Sequence, residues 1–345
     1  MPSVAATRCF SIVGQPTFHV KQRVSMAKKG NRGARQRKRA HGRRHVLSAL
    51  LLAFVLIGGF FGWMALSAFI VRVCPAEVYL PDLPAQFDGT TILYISDVNI
   101  RSAADAAACT RLMSKLEAMH PDVLMLGGDY SAGTVLDALN ATENAGDLEH
   151  AREFIQSLGR FPAALGKFAV AGEAERGGDP VMGAFAAAGV EFMQDGYAAI
   201  ERDGARLIVV GLRDASENRT PYDEIGKTFQ SGDCVIVLAH NPLSYTRIRM
   251  TEAKNGGAWA DLALSGHTLG GQIKLFGRTL RQFDEEEARR IGGWYYGDDL
   301  PILVSQGLGC RGAKLRLGTR SEVWMITLRR PSWQGEIQDD VVSLP

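Results

Sequence analysis

The longest hydrophobic feature of the chain is an uncharged segment that runs from Val46 to Val71. An α-helix needs about 20 apolar residues to cross the hydrocarbon core of a bilayer, so this segment is long enough to span a membrane. A buried core helix of this length would be expected to keep a polar face. The apolar region of a cleaved signal peptide is usually only about 7–15 residues long. The pattern therefore predicts one uncleaved transmembrane helix.

Downstream of this segment, short apolar runs alternate with stretches whose apolar residues recur on one helical face. Helices are predicted for Ala103–Met119, Leu148–Leu158 and Val181–Ala188, and a hairpin is predicted to turn at Asp203-Gly204. Buried strands are predicted for TILYIS, PDVLMLGGD, KFAVAG, CVIVLAH, DLALSGH, PILVSQG and EVWMITL. Strands that alternate with helices are typical of an α/β core in which helices cover a sheet. We expect an α/β fold of two packed sheets flanked by helices, preceded by the transmembrane helix.

Charge is distributed unevenly along the chain, although the formal net charge is only +2. Residues 1–45 contain twelve Lys or Arg and no Asp or Glu, which leaves 27 basic and 37 acidic residues in the rest. Basic flanks of a membrane helix stay in the cytoplasm, and only Arg72 closely follows the apolar segment. We therefore expect a single-pass protein of the cell membrane with a cytoplasmic N-terminus and an extracytoplasmic C-terminal domain.

The basic arm could serve a nucleic acid or a membrane surface. Its densest part, residues 28–44, has no interleaved aromatic residues and adjoins the apolar segment. Anionic lipid headgroups explain such a juxtamembrane cluster better, so the expected partner is the membrane lipid bilayer and no nucleic acid. The predicted organisation is a basic cytoplasmic arm (1–45), a transmembrane anchor (46–71), an outer domain (75–330) and a C-terminal tail (331–345).

Five potential metal ligands stand where the predicted strands end: Asp97, Asp129, Glu173, His240 and His267. An aspartate after a strand is usually part of a turn or a helix cap, and a histidine there is usually structural. Five such residues at five strand ends favour a shared crevice, because open α/β sheets bind ligands at the carboxyl ends of their strands. Carboxylates together with imidazoles suit Mn, Fe or Zn, so a divalent metal is predicted.

The segments around these residues resemble a known family. In chain order they are ISDVN (95–99), PDVLMLGGD (121–129), VAGEAE (170–175), AHNP (239–242) and SGHTLGGQ (265–272). They resemble the calcineurin-like metallophosphoesterases, and are most similar to the membrane-associated bacterial branch of that family. The resemblance covers roughly residues 75–330, and AHNP with SGHTLGGQ is its most specific part. It implies a metallophosphoesterase-like two-sheet sandwich, a two-metal centre and hydrolysis of a phosphoester by a metal-bridging hydroxide.

Carried over residue by residue, the resemblance implies metal-binding roles for four positions. Asp129 matches the carboxylate that bridges two ions, and Asp97 matches a ligand of the first ion. His240 and His267 match two ligands of the second ion.

Four other positions depart from the family's motifs. Asn99 stands where the family has histidine, Glu173 where it has asparagine, and Leu269 where it has another histidine. Ala174 replaces the histidine that protonates or stabilises the leaving group. A glutamate can coordinate a metal, and an asparagine amide oxygen can serve a hard cation, whereas leucine and alanine can do neither. One metal site is then left with only Asp97, Asp129 and the weaker candidate Asn99, while the other keeps Asp129, Glu173, His240 and His267.

These departures predict impaired or lost phosphoester hydrolysis, because losing a general acid–base group typically costs ~10²–10⁴-fold in rate. We expect a membrane-anchored extracytoplasmic protein that holds one ion and binds a phosphorylated lipid, sugar or nucleotide. The alternative is an active phosphoesterase that acts on a lipid- or nucleotide-type phosphoester at the membrane surface. A scaffold without any ligand is disfavoured, because His240 and His267 are retained. Arg311 and Arg316 are expected at the surface, with contact to a phosphate as the alternative.

Overall fold

The computed structural model describes residues 32–132, 148–175, 179–296 and 300–331. Most of the predicted basic arm, and all but the first residue of the predicted tail, lie outside these ranges. The chain divides into two compact units, Met1–Gly58 and Gly59–Pro345. Helix α1 (Arg32–Phe69) begins in the first unit and ends in the second. Its stretch His45–Phe69 is long and apolar enough to cross a membrane.

The second unit contains two six-stranded sheets. Sheet A has the strand order β1-β14-β2-β3-β4-β5, in which β14 runs antiparallel to β2 and the other neighbours are parallel. Its strands are β1 (Val71–Tyr79), β2 (Thr91–Ile95), β3 (Val123–Leu126), β4 (Lys167–Val170), β5 (Glu191–Met193) and β14 (Ser321–Arg329).

Sheet B has the order β12-β13-β9-β8-β7-β6, with antiparallel pairs at its two edges and parallel pairs between. Its strands are β6 (Gly196–Arg202), β7 (Ala205–Gly211), β8 (Val235–Leu238), β9 (Leu262–Ser265), β12 (Gly293–Tyr295) and β13 (Ile302–Val304). A separate short hairpin pairs β10 (Lys274–Leu275) with β11 (Arg278–Thr279).

The described residues downstream of α1 form further helices. They are α2 (Ala103–Leu116), α3 (Leu148–Ser157), α4 (Asp179–Ala187), α5 (Tyr222–Gly226), α6 (Ser244–Met250) and α7 (Glu285–Ala288). One apolar cluster packs α2, α3 and α4 against sheet A, and another packs α6 against sheet B. A third lies between the sheets.

Strand β2 shows how the sequence produces this layering. Its side chains point alternately to opposite faces, so Ile92 and Tyr94 enter the cluster between the sheets while Leu93 and Ile95 enter the helix-covered cluster. A strand that is buried on both faces must be continuously apolar. The predicted two-sheet α/β sandwich is confirmed.

The N-terminal edge of sheet A differs from the sequence-based expectation. No strand is predicted from the sequence before TILYIS, but Val71–Tyr79 form strand β1, which pairs in parallel with β14 from Val71↔Ser321 to Tyr79↔Arg329. Pro75 lies within this strand. A proline cannot donate to a β-ladder, and it is tolerated here because β1 is an edge strand.

Candidate metal centre

The polar residues that follow β2, β3 and β8 converge at the carboxyl ends of these strands. One ligand atom each from Asp97, Asp129 and His240 lies within 4.8 Å of the others, and all three residues are buried. Three neutral or anionic donors gathered this closely suit a divalent ion. The structure therefore brings three of the five predicted ligands to one point.

Several residues around this point have left-handed backbone conformations. Their φ angles are 51° at Asp97, 53° at Asn99, 54° at Asp129, 69° at His267 and 54° at Leu269. Such conformations cost roughly 1–3 kcal/mol each for non-glycine residues and persist where surrounding structure imposes them. Backbone hydrogen bonds impose them here, because Asp97 N donates to Gly128 O at 2.9 Å and Asn99 N donates to Asp129 O at 2.9 Å.

His240 is oriented by a backbone carbonyl. Its Nδ1 lies 2.7 Å from Gly127 O, which fixes the proton on Nδ1 because a carbonyl oxygen can only accept. Its Nε2 lies 3.4 Å from Asp129 Oδ1, is buried and has no hydrogen-bond partner. A histidine whose Nδ1 donates to a carbonyl presents its other nitrogen as a metal ligand. The orphaned Nε2 is thus the observation that fits this pocket to a divalent ion.

The carboxyl groups of Asp97 and Asp129 have pKa values that are shifted in opposite directions. Burial raises the pKa of Asp97, and the neighbouring Asp129 carboxylate raises it further against the pull of His240. Burial also acts to raise the pKa of Asp129, but His240 and Arg311 outweigh it and hold that pKa well below its usual range. Asp129 therefore ionises more readily than Asp97.

Glu173 and His267 lie beside the three-donor cluster, and His267 Nδ1, like His240 Nε2, is buried without a hydrogen-bond partner. Glu173 Oε2 lies 3.3 Å from His267 Nδ1, and its other oxygen contacts the Arg311 guanidinium. His267 Nε2 lies 3.2 Å from Glu287 Oε1 and 3.1 Å from an Arg281 nitrogen. Their assignment as metal ligands stays a prediction.

The three remaining departures from the family motifs also lie at the centre. The Asn99 amide nitrogen donates to Asp97 O at 3.0 Å, so this side chain braces the loop after β2. At position 174 the backbone N–H donates to Asp129 Oδ1 at 3.1 Å. Leu269 is 2% exposed and contributes only apolar surface.

No protein-family model matches the chain. Known proteins do match it. A Danio rerio protein named "Transmembrane protein with metallophosphoesterase domain" is 23% identical over 84% of this chain, an alignment that covers 63% of the fish protein. The Bacillus subtilis metallophosphoesterase YkuE is 22% identical over 82% of this chain and 95% of its own length. An Aquifex aeolicus metallophosphoesterase is 26% identical over 80% of this chain and 97% of its own.

The chain is thus similar in sequence to metallophosphoesterases over most of its length. The alignment extends over less than two thirds of the fish relative's own length. A solved structure of the calcineurin-like phosphoesterase YfkN from Bacillus subtilis aligns over 64% of this chain with 13% identity and a TM-score of 0.37.

Glu175 is a positioning residue of this candidate metal centre that sequence reasoning missed. Its buried carboxylate accepts hydrogen bonds from the backbone N–H groups of Asp129 (3.0 Å), Tyr130 (2.8 Å), Ser131 (3.1 Å) and Gly172 (3.1 Å). It thereby joins the loop after β3 to the loop after β4. The available signal was the second acidic residue of VAGEAE, since an acidic residue beside a glycine loop can cap several backbone donors.

The expectation of two surface arginines was wrong. Arg316 is 0% exposed and donates to the carbonyls of Gln306, Gly307 and Gly309 at 2.8, 3.0 and 2.6 Å. The Arg311 side chain is 31% exposed and binds Asp129 Oδ2 at 2.8 Å. Neither position lies in a periodic pattern, so their burial depends on the packing of the closing segment and had no local signal.

Proposed function

We propose that this protein is a membrane-anchored, extracytoplasmic member of the metallophosphoesterase family that binds a phosphorylated ligand and has impaired or lost phosphoester hydrolysis. Its centre would hold one divalent ion, Mn, Fe or Zn, between Asp97, Asp129 and His240. The ligand would be a phosphorylated lipid, sugar or nucleotide. The observation that carries the proposal is the convergence of these three donors with the unpartnered Nε2 of His240.

The residues present support binding more than turnover. An ion held by the three donors would supply a Lewis acid for phosphoryl oxygens. Proton transfer to a leaving group needs a side chain that can carry the proton, and Ala174 offers only a backbone N–H, which donates to Asp129. Leu269 offers no donor to a second ion. The chain's own groups can therefore orient a phosphoryl group without moving the proton that hydrolysis of a poor leaving group requires.

Two observations support the membrane anchor. The stretch His45–Phe69 of α1 is long and apolar enough to span a bilayer. A relative that aligns over most of this chain is named as a transmembrane protein. The basic residues before this stretch support a cytoplasmic N-terminus.

Metal content and hydrolysis should be measured together on the full chain in detergent micelles, with phosphodiester and phosphomonoester test substrates. We expect one ion per chain and negligible turnover. The triple variant Asn99→His, Ala174→His, Leu269→His should gain activity, because it restores two metal-binding groups and the proton carrier. The matched control is the triple variant with glutamine at the same positions, which adds polarity without an imidazole.

The alternative is an active metal-dependent phosphoesterase that acts on a lipid- or nucleotide-type phosphoester at the membrane surface. It is favoured by the buried arrangement of Asp97, Asp129 and His240, which retains a bridging carboxylate and an oriented histidine. Robust turnover by the unaltered chain, abolished by Asp97→Asn, would establish this alternative and overturn the proposal of impaired hydrolysis.

A further inference from the structure

Arg311 reaches into the centre from the segment between β13 and β14. Its Nη2 donates to Asp129 Oδ2 at 2.8 Å and also contacts the Glu173 carboxylate. A guanidinium keeps its positive charge in proteins. A fixed positive charge therefore stands between the two carboxylates.

The backbone of Arg311 is fixed as well as its side chain. Arg311 N donates to Gln272 Oε1 at 2.8 Å, and Gln272 Nε2 donates back to Arg311 O at 3.0 Å. A reciprocal pair of hydrogen bonds to one amide side chain holds the residue in a single orientation. The hydrogen bonds to Gln272 therefore hold the Arg311 backbone where its guanidinium can contact Asp129.

The two oxygens of Asp129 have separate partners. Oδ1 faces the three-donor cluster, where His240 Nε2 lies 3.4 Å away, and it accepts the Ala174 N–H. Oδ2 faces Arg311. Glu173 is likewise divided between Arg311 and His267. Arg311 therefore already neutralises negative charge on Asp129 Oδ2 and on the Glu173 carboxylate.

We propose that Arg311 is the permanent second cation of this centre. The centre then takes one divalent ion, on the Oδ1 side of Asp129, and the guanidinium occupies the Oδ2 side in place of a second ion. The inference rests on the metal binding proposed above and deepens it by naming the residue that sets the ion count. Arg311 also lines a cavity of about 210 Å³ together with Leu269 and Arg281.

The test is the number of Mn²⁺ ions bound per full chain in detergent micelles, measured by elemental analysis and by calorimetric titration. The unaltered chain should bind one ion. Arg311→Gln removes the charge and leaves Asp129 Oδ2, Glu173 and His267 for a second ion, so this variant should bind two. Arg311→Lys keeps the charge and should bind one. Arg278→Gln removes an exposed arginine of the β10–β11 hairpin and should also leave one ion.

A second experiment leaves Arg311 unchanged, so it does not depend on whether the Arg311 variants fold. Because Glu173 is assigned to the arginine and not to the ion, Glu173→Gln should change Mn²⁺ affinity by less than about threefold. Asp97→Asn should weaken it at least about a hundredfold, since even groups that only orient metal ligands are typically worth 10–100-fold.

The outcomes separate this inference from the proposed function. Two ions in the unaltered chain, one ion or none in a folded Arg311→Gln, or loss of the ion in Glu173→Gln would each overturn the role of Arg311. The proposed one-ion site would survive a count of one in both the unaltered chain and Arg311→Gln. Absence of any ion from the unaltered chain would overturn both.

Discussion

Gly266 allows the loops that carry Asp97 and His267 to approach each other. A Cβ at this position would lie 2.2 Å from Asp97 Oδ2 and 2.5 Å from Ser96 Oγ. His267 N donates to both Asp97 carboxylate oxygens, at 3.1 and 3.0 Å, and this contact needs the close approach. A single methyl group therefore matters here because it would part the two loops.

We predict that Gly266→Ala lowers the free energy of unfolding by about 1–3 kcal/mol, the usual cost of forcing extra volume into a packed site. Denaturant unfolding of the full chain in micelles, followed by tryptophan fluorescence, measures this. Gly183→Ala is the matched control. A Cβ at Gly183 meets nothing within 4 Å, so there the helix preference of alanine should raise stability by up to about 1 kcal/mol. Equal effects of the two variants would contradict the close-approach argument.

At the residue scale, the sequence identified the candidate metal ligands more reliably than the residues that contact them. Asp97, Asp129 and His240 were identified from their position after apolar strands, because strand ends are visible in a local pattern. Arg311 pairs with Asp129 across 182 residues of sequence. No local pattern specifies such a contact, so the cation beside Asp129 emerged only from the folded chain.

At the element scale, Asp261 links the starts of two neighbouring strands of sheet B. Its backbone N donates to Val235 O at 2.9 Å, and its carboxylate accepts the Val235 N–H at 2.7 Å. Burial, with smaller contributions from nearby Asp82 and Asp233, raises the pKa of Asp261 to about 7 against the opposing effect of the Val235 hydrogen bond. The pairing of β8 with β9 where these strands begin is therefore coupled to the protonation of the Asp261 carboxyl group.

We predict that this coupling makes stability fall as pH rises. The unfolded carboxyl ionises near pH 3.8, whereas the folded one keeps its proton until about pH 7. Its stabilising contribution is thus complete below the unfolded pKa and is lost as pH rises through the folded pKa. Between pH 5 and 8 the unaltered chain should lose about 2–3 kcal/mol of unfolding free energy that Asp261→Asn does not lose.

Denaturant unfolding at a series of pH values tests this coupling. Asp223→Asn, at an exposed position on α5, serves as the control and should keep the pH dependence of the unaltered chain. A profile for Asp261→Asn that is parallel to that of the unaltered chain would remove Asp261 as the cause.

Most elements of the outer domain could be predicted, because strand and helix periods are local properties. The hairpin turn at Asp203-Gly204 is where the structure has it, and both residues have positive φ, 49° and 79°, as a tight two-residue turn requires. Strand β1 could not be predicted. Its residues contain a proline and carry no alternation, and they form a strand only because the edge of β14 is available to pair with them.

At the scale of the whole molecule, the central prediction is topology. The basic residues before α1 should hold the N-terminus in the cytoplasm and leave both sheets outside. In intact cells that express the chain with a tag at each end, added protease should remove the C-terminal tag and spare the N-terminal one. Cells made permeable to the protease are the control and should lose both tags. Protection of the C-terminal tag in intact cells would contradict this orientation.

The sequence by itself determined the apolar segment, the order of strands and helices, and the strand ends at which metal donors stand. Each depends on residues that are close in the chain, so a periodic or uncharged run suffices to identify it. The tertiary structure alone decided that Asp97, Asp129 and His240 meet at one point while Glu173 and His267 pair beside it. It also decided that Arg311 neutralises Asp129, because distances and charge balance at a shared point depend on segments brought together only by packing.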